Sequence, residues 1–462
     1  MQKMVLDDTN TIYFGGSILL KVGFVSLGCS KNRVDTEVML GILKKNNIEI
    51  VSEPSEADIL IVNTCSFIES AKEESITTIL AMSEYKNNGK CRSLIIAGCL
   101  GQRYGQTLLD EIPEADAIVG TDAWDRIMEA VEASLNGERI VIIGKETIYH
   151  QDTPRIITTP SYSTNVKIAE GCNNRCAFCS IPLIRGNYRS RSIEDVKTEV
   201  INLTRNGAKE INLIAQDTTN YGADLYGKAS LAKLLGELVK IKELPWLRIQ
   251  YAYPQGLTDE VIDIMASEEK ICNYADIPLQ HAHNAVLKKM HRADTVEYIE
   301  EIIGKLRMKM PDISLRSTFI VGFPGETDAQ YQALRNFVEK HRFDKVGVFT
   351  YSREEDTPAY DMPNQVAEEI MQERYHDLMS LQSKISEDIN KNLENKVMDV
   401  LIEGRDTEQE NVTYGRSYRE APEVDGQIYV EEDADSKPGD IIKVKIQQGF
   451  VYDLVGTKIA ER

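Results

Sequence analysis

Cys29, Cys65 and Cys99 each close an apolar run, VGFVSLGC, ILIVNTC and SLIIAGC, and they recur at intervals of 36 and 34 residues. A parallel strand, its turn, a crossover helix and the return to the next strand occupy roughly 30 or more residues, so this period predicts consecutive βαβ units. DTEVMLGILKKN and residues 68–83 carry helical spacing between the runs, while DILIV has the unbroken apolar character of a strand buried on both faces. The fold class is therefore α/β, opening with a parallel sheet. Its three cysteines are expected beyond the carboxyl ends of their strands, where open α/β sheets bind ligands.

A second triple, Cys172, Cys176 and Cys179, forms a compact CxxxCxxC in EGCNNRCAFC. Residues 1–16 carry no recognisable export signal, and no apolar stretch reaches the length of a membrane span. Reduced thiols in a cytoplasmic protein are expected, which favours metal ligation over disulfides. A closed zinc site needs four protein ligands, and neither a histidine nor a fourth cysteine lies near the compact triple. Three thiolates can instead hold a 4Fe-4S cluster and leave one iron open. For the dispersed triple, three separate core cysteines are the alternative. Equivalent placement at three successive strand ends argues for a second cluster. Cys91 and Cys272 read as small buried residues.

The pattern changes twice along the chain. YHQDTPRIITTPSYSTN, residues 149–165, lacks periodicity and reads as a linker. Six strand-like runs follow with helices between them: VKIAEG, EINLIAQD, LRIQYAY, YADIPLQ, ISLRSTFIVGF and KVGVFTY. They predict a partial (β/α)6 TIM-like barrel with the compact triple on the loop after its first strand, at the face where barrel active sites sit. Val366, Ile370, Leu378, Leu381, Ile385 and Ile389 then mark an amphipathic connecting helix with a core-facing stripe. Five short runs separated by turn signals complete the chain as a small OB-like β-barrel. The expected domains are 21–148, 160–390 and 396–462. A formal net charge of -20, with acidic residues outnumbering basic ones in the last domain, speaks against a nucleic-acid partner and for a basic protein.

The CxxxCxxC loop resembles the radical S-adenosylmethionine (SAM) superfamily. The whole arrangement from Lys21 onward resembles the methylthiotransferases, whose domains are an auxiliary-cluster domain, a radical barrel and a TRAM domain. SLGCSKNRVDTE, VNTCSFIESAKEES, CAFCSIPLIRGNYRSR, AQDTTNYGADLYG, DIPLQH and GRSYREAPEVDG are similar to the branch that modifies a ribosomal protein. The resemblance implies two 4Fe-4S clusters, held by Cys29, Cys65 and Cys99 and by Cys172, Cys176 and Cys179. It further implies that SAM serves first as methyl donor to a sulfur at the auxiliary cluster. SAM then serves as source of a deoxyadenosyl radical that removes hydrogen from the β-carbon of an aspartate in small-subunit ribosomal protein twelve. An external electron donor and a sulfur source complete the implied partners. Transfer-RNA methylthiolation and a non-catalytic iron-sulfur carrier remain the alternatives.

Residues with weaker signals surround these loops. Phe178, between two ligands, could shield the cluster or flank adenine, or simply pack the loop. Gly322 and Gly325 in IVGFPGET could admit backbone to adenine, or merely form a tight turn. Gln216 with Asp217 and Tyr221, and Gln280 with His281, follow barrel strands and could line the cofactor pocket, or stabilise their own loops. Arg185, Arg189 and Arg191 could pair with the carboxylate of SAM or with the substrate aspartate, or form a solvated basic loop. No catalytic residue is assigned.

Overall fold

The computed structural model describes residues 5–6, 12–13, 20–144 and 147–459. The reading of residues 1–16 therefore falls almost entirely outside the described residues. The chain forms two compact units. The first holds residues 1–158, 170–172 and 180–187; the second holds 159–169, 173–179 and 188–462.

In the first unit a six-stranded, all-parallel sheet is built from β1 (Lys21–Ser26), β2 (Glu49–Val51), β3 (Ile59–Thr64), β4 (Ser93–Gly98), β5 (Ala117–Val119) and β6 (Ile140–Ile142). Their order is β2-β1-β3-β4-β5-β6. The crossovers include α1 (Ser30–Lys45), α2 (Glu69–Asn87), α3 (Cys99–Glu111) and α4 (Ile127–Leu135). Every residue of β3 and β4 is buried, because helices cover both faces of a parallel sheet. The strand order reverses between β1 and β3, the switch point at which such sheets open a crevice. The first part of the expected linker is anchored: Arg155 and Thr158 bind the buried carboxylate of Glu37 at 2.6 and 2.7 Å.

In the second unit all six expected barrel strands form: β7 (Ser163–Lys167), β8 (Glu210–Ile214), β9 (Trp246–Ile249), β10 (Tyr274–Gln280), β11 (Ser314–Val321) and β12 (Lys345–Thr350). They make two parallel three-stranded sheets, β9-β8-β7 and β10-β11-β12, joined through a bridge between Leu247 and Ile271. Leu213, Leu247, Leu315 and Phe319 belong to a continuous core with the surrounding helices. The connecting helix spans Glu368–Lys391 and buries Leu378, Leu381 and Ile385. Ile370, expected on the core stripe, is instead 41% exposed, because Met371 beside it takes the buried position. The C-terminal strands β13 (Val397–Arg405), β14 (Thr413–Arg416), β15 (Ile428–Glu431), β16 (Ile441–Gly449) and β17 (Leu454–Lys458) close a barrel in the order β13-β14-β15-β17-β16. Val400, Ile402, Val430, Val444 and Ile446 fill it.

Candidate functional site

β1, β3 and β4 are adjacent, and neighbouring strands stand about 4.8 Å apart. Their carboxyl ends therefore bring the three dispersed cysteines to one edge of the sheet. Cys29 caps α1, Cys65 follows Thr64, and Cys99 opens α3. Two glycines make the approach possible. Gly28 has φ +87°, and a Cβ on it would stand 3.3 Å from the Cys65 sulfur. Gly98 also has φ +87°, and a Cβ there would fall 2.1 Å from Asn63 Oδ1.

Polar side chains fix these loops. Asn32 Nδ2 donates to Leu27 O at 2.7 Å and to Thr64 O at 3.0 Å. Thr64 Oγ1 donates to Ala97 O at 2.6 Å, and Ser75 Oγ accepts from Cys65 N at 3.0 Å. Arg185, in α5 (Ile181–Arg185), is buried; its Nη1 reaches Asp35 at 2.8 Å and Glu170 at 3.0 Å, and its Nη2 reaches Cys99 Sγ at 3.7 Å.

Cys29 is exposed, Cys65 half-buried and Cys99 buried. Burial pushes the Cys99 thiol up to about 12, with Arg185 opposing, and raises Cys65 as well. Crowding by protein atoms also acts to raise Cys29. There Lys31, Arg185 and the backbone N–H groups of Asn32 and Lys31 prevail and hold it below the ordinary thiol value.

The donor set suits an iron-sulfur cluster. Thiolate is the ligand such clusters take, and glycine at position 28 keeps a side chain out of the space beside the Cys65 sulfur. Among the described residues no three ligand side chains converge as a single ion requires. A cluster asks for wider spacing, because each thiolate binds a different iron.

In the compact triple, Cys172 belongs to the first unit and donates its N–H to Gly186 O at 3.2 Å. Cys176 and Cys179 belong to the second, with Cys179 N bonded to Cys176 O at 3.0 Å and Ala177 N to Met290 O at 2.9 Å. Burial raises the Cys176 thiol, and the buried Arg292 beside it works the other way. Arg292 pairs with Asp294 at 3.1 Å and lies over the Tyr253 ring at 4.3 Å.

The weaker candidates separate. Phe178 packs with Ala177, Val286, Met290 and Phe323 in an apolar cluster. Gly322 and Gly325 have φ +76° and +74°, and a Cβ on Gly322 would meet Met371 at 2.1 Å, so close packing demands glycine there. Glu326 accepts from Gly322 N and stands within 3.4 Å of His281 Nε2 and 3.3 Å of Arg374 Nη1, which makes His281 a buried structural residue. Gln280 ends β10 at φ +70°, after an irregularity in its pairing with β11, and is half-buried; Gln216, past β8, is half-buried too.

Asp217 holds its own loop through Thr219 Oγ1 at 2.6 Å, and receives Asn174 Nδ2 of the cysteine loop at 2.8 Å. Tyr221 donates to Arg191 O at 2.7 Å. The solvated-loop reading fails for Arg185 and Arg191. Both are buried, and Arg191 is held by Asp195 at 2.6 Å and Glu199 at 2.5 Å. Arg189 is half-buried. Asn32, Arg292 and Glu326 were missed by sequence reading; each acts through a partner distant in the chain, for which a single sequence carries no signal. Cys91 and Cys272 are buried as expected.

Residues 21–120 match the family described as "Uncharacterized protein family UPF0004", 166–338 the radical SAM superfamily and 396–459 the TRAM domain. The chain is 50% identical to the ribosomal protein uS12 methylthiotransferase RimO of Syntrophotalea carbinolica, over 96% of this chain and 97% of that protein. To RimO of Desulforamulus reducens it is 48% identical, over 94% and 98%. Among solved structures, the radical SAM methyltransferase TsrM from Kitasatospora setae aligns with a TM-score of 0.56 at 15% identity, covering 74% of this chain and 77% of that one, a likeness of fold alone. Identity at that level across nearly the full length of both chains, together with three matched domains in the observed order, means that the chain belongs to the ribosomal protein uS12 methylthiotransferase family of the radical SAM superfamily.

Proposed function

We propose that this chain adds a methylthio group to the β-carbon of an aspartate in ribosomal protein uS12. The near-full-length identity to uS12 methylthiotransferases carries that reading. The ligand sets are Cys29, Cys65 and Cys99 for an auxiliary 4Fe-4S cluster and Cys172, Cys176 and Cys179 for the SAM-binding one, supported by the donor chemistry of each triple. When bound, the clusters and SAM supply the methyl-transfer and one-electron chemistry. The chain's own residues hold and orient: Asn32 and Thr64 fix the auxiliary loops, and Asn174 with Asp217 fixes the compact one. Gly322, Gly325, Gln216, Gln280 and Phe178 are assigned to the SAM pocket.

The functional divisions are 21–148, 160–390 and 396–462. An external electron donor and a sulfur source act with the enzyme. No helix among the described residues is long and apolar enough to cross a membrane, and a ribosomal substrate puts the reaction in the cytoplasm. The acidic C-terminal barrel supports a basic protein substrate over transfer RNA. The deciding experiment incubates reconstituted, reduced enzyme and SAM with uS12 or with unmodified transfer RNA. A methylthio mass gain on uS12 is expected, and a gain confined to RNA would overturn the reading.

A further inference from the structure

Arg185 is buried to 1% exposure, and its partners lie far off in the chain: Asp35 and Asn32 in α1, Cys99 at the start of α3 and Glu170 nearer by. Packing alone does not explain a guanidinium there. A buried ion pair can often be replaced by apolar residues of similar volume without loss of stability.

The geometry is directional. Nη1 donates to Asp35 Oδ2 at 2.8 Å and Glu170 Oε1 at 3.0 Å, so two carboxylates grip one edge of the planar fork. The other edge faces the centre, with Nη2 3.1 Å from Asn32 Oδ1 and 3.7 Å from Cys99 Sγ. Asn32 passes the constraint on through Nδ2 to Leu27 O and Thr64 O, the carbonyls that precede Cys29 and Cys65. One guanidinium thus bears on all three cysteine loops.

The potential of an iron-sulfur cluster is set by its net charge, by hydrogen bonds to its sulfurs and by its exposure. Reduction adds negative charge. A buried cation that donates to a ligating sulfur favours the reduced form, and buried carboxylates beside it oppose that effect.

We propose that Arg185 is a positioning residue that donates to the Cys99 sulfur of the auxiliary cluster and raises that cluster's reduction potential, with Asp35 and Glu170 limiting the rise. The proposal rests on the assignment of Cys29, Cys65 and Cys99 as cluster ligands, and its test separates the two. The full-length chain carrying Cys172→Ala, Cys176→Ala and Cys179→Ala is reconstituted anaerobically and analysed for iron and sulfide, so that only the auxiliary cluster is present. Its midpoint potential is then read by redox titration followed by electron paramagnetic resonance. In this background Arg185→Gln shifts the midpoint to more negative values, Arg185→Lys gives an intermediate shift, and Glu170→Gln shifts it to more positive values, all at unchanged iron content.

A parent chain that takes up no iron defeats the ligand assignment. Iron-loaded Arg185→Gln and Glu170→Gln chains with the parent's midpoint overturn the role of Arg185 and leave the ligands standing. If Arg185→Gln does not give a folded circular dichroism spectrum, Glu170→Gln and Arg185→Lys carry the same test, and unchanged midpoints there overturn the proposal.

Discussion

Gly98 ends a fully buried strand, next to the cysteine that opens α3, at φ +87°, with the space its Cβ would need already filled by Asn63 Oδ1 and Thr64 O. Left-handed backbone costs an ordinary residue about 1–3 kcal/mol, and here the collision with Asn63 adds to it. Asn63 is not free to move aside, since its Nδ2 donates to Asn32 O and Thr36 Oγ1 at 2.8 Å each. Gly98→Ala is therefore expected to lower the stability of the chain in urea by about 1–3 kcal/mol and to reduce iron uptake at the auxiliary triple; full iron content and an unchanged midpoint would refute the strain argument. At the same level of detail, the glycines beside Cys29 and Cys99 were visible in the sequence, whereas their conformation was not. A glycine's φ depends on the approach of a neighbouring strand.

Among elements, the contact between the barrel and the C-terminal strands within the second unit turns on one carboxylate. Glu210, first residue of β8, is fully buried and holds Arg248 of β9 at 2.9 Å and Arg416 of β14 at 2.8 Å. Burial pushes Glu210 up, but Arg416, Arg248 and the hydroxyl of Ser163 more than compensate and hold its pKa at about 2. A carboxylate whose pKa is depressed on folding contributes stability that is complete above its unfolded value, 4.5, and is lost as pH falls toward 2. Glu210→Ala should cost about 3–5 kcal/mol, because two guanidinium groups lose a buried partner. In the cluster-free chain, Glu210→Gln should flatten the decline of the urea midpoint between pH 4.5 and 2. A slope equal to that of the parent would remove Glu210 from the acid transition. The strands themselves were legible as six apolar runs, since alternation and run length are local properties. That the first barrel strands and a strand 206 residues later share one buried ion cluster was not.

For the whole molecule, two cysteine triples on separate loops imply two separable activities. Cys65→Ala should abolish methylthio transfer to uS12 and leave formation of 5'-deoxyadenosine from SAM in place, measured by mass spectrometry and by liquid chromatography of the same reaction. Loss of both products would show that the triples do not act independently. The six cysteines, the parallel sheet, the partial barrel, the closed terminal barrel and the family could all be read from sequence, because strand ends follow from hydropathy period and motif spacing is a property of the chain. The partners of the charged residues could not. Arg185 meets Asp35 across 150 positions, Arg191 is sequestered by Asp195 and Glu199 where a solvated loop was one of two readings, and Ile370 yields its core position to Met371. Periodicity along a chain places side chains on faces and at edges. Which charges meet in the interior depends on the path by which distant segments return to one another, and that path exists only in the folded molecule.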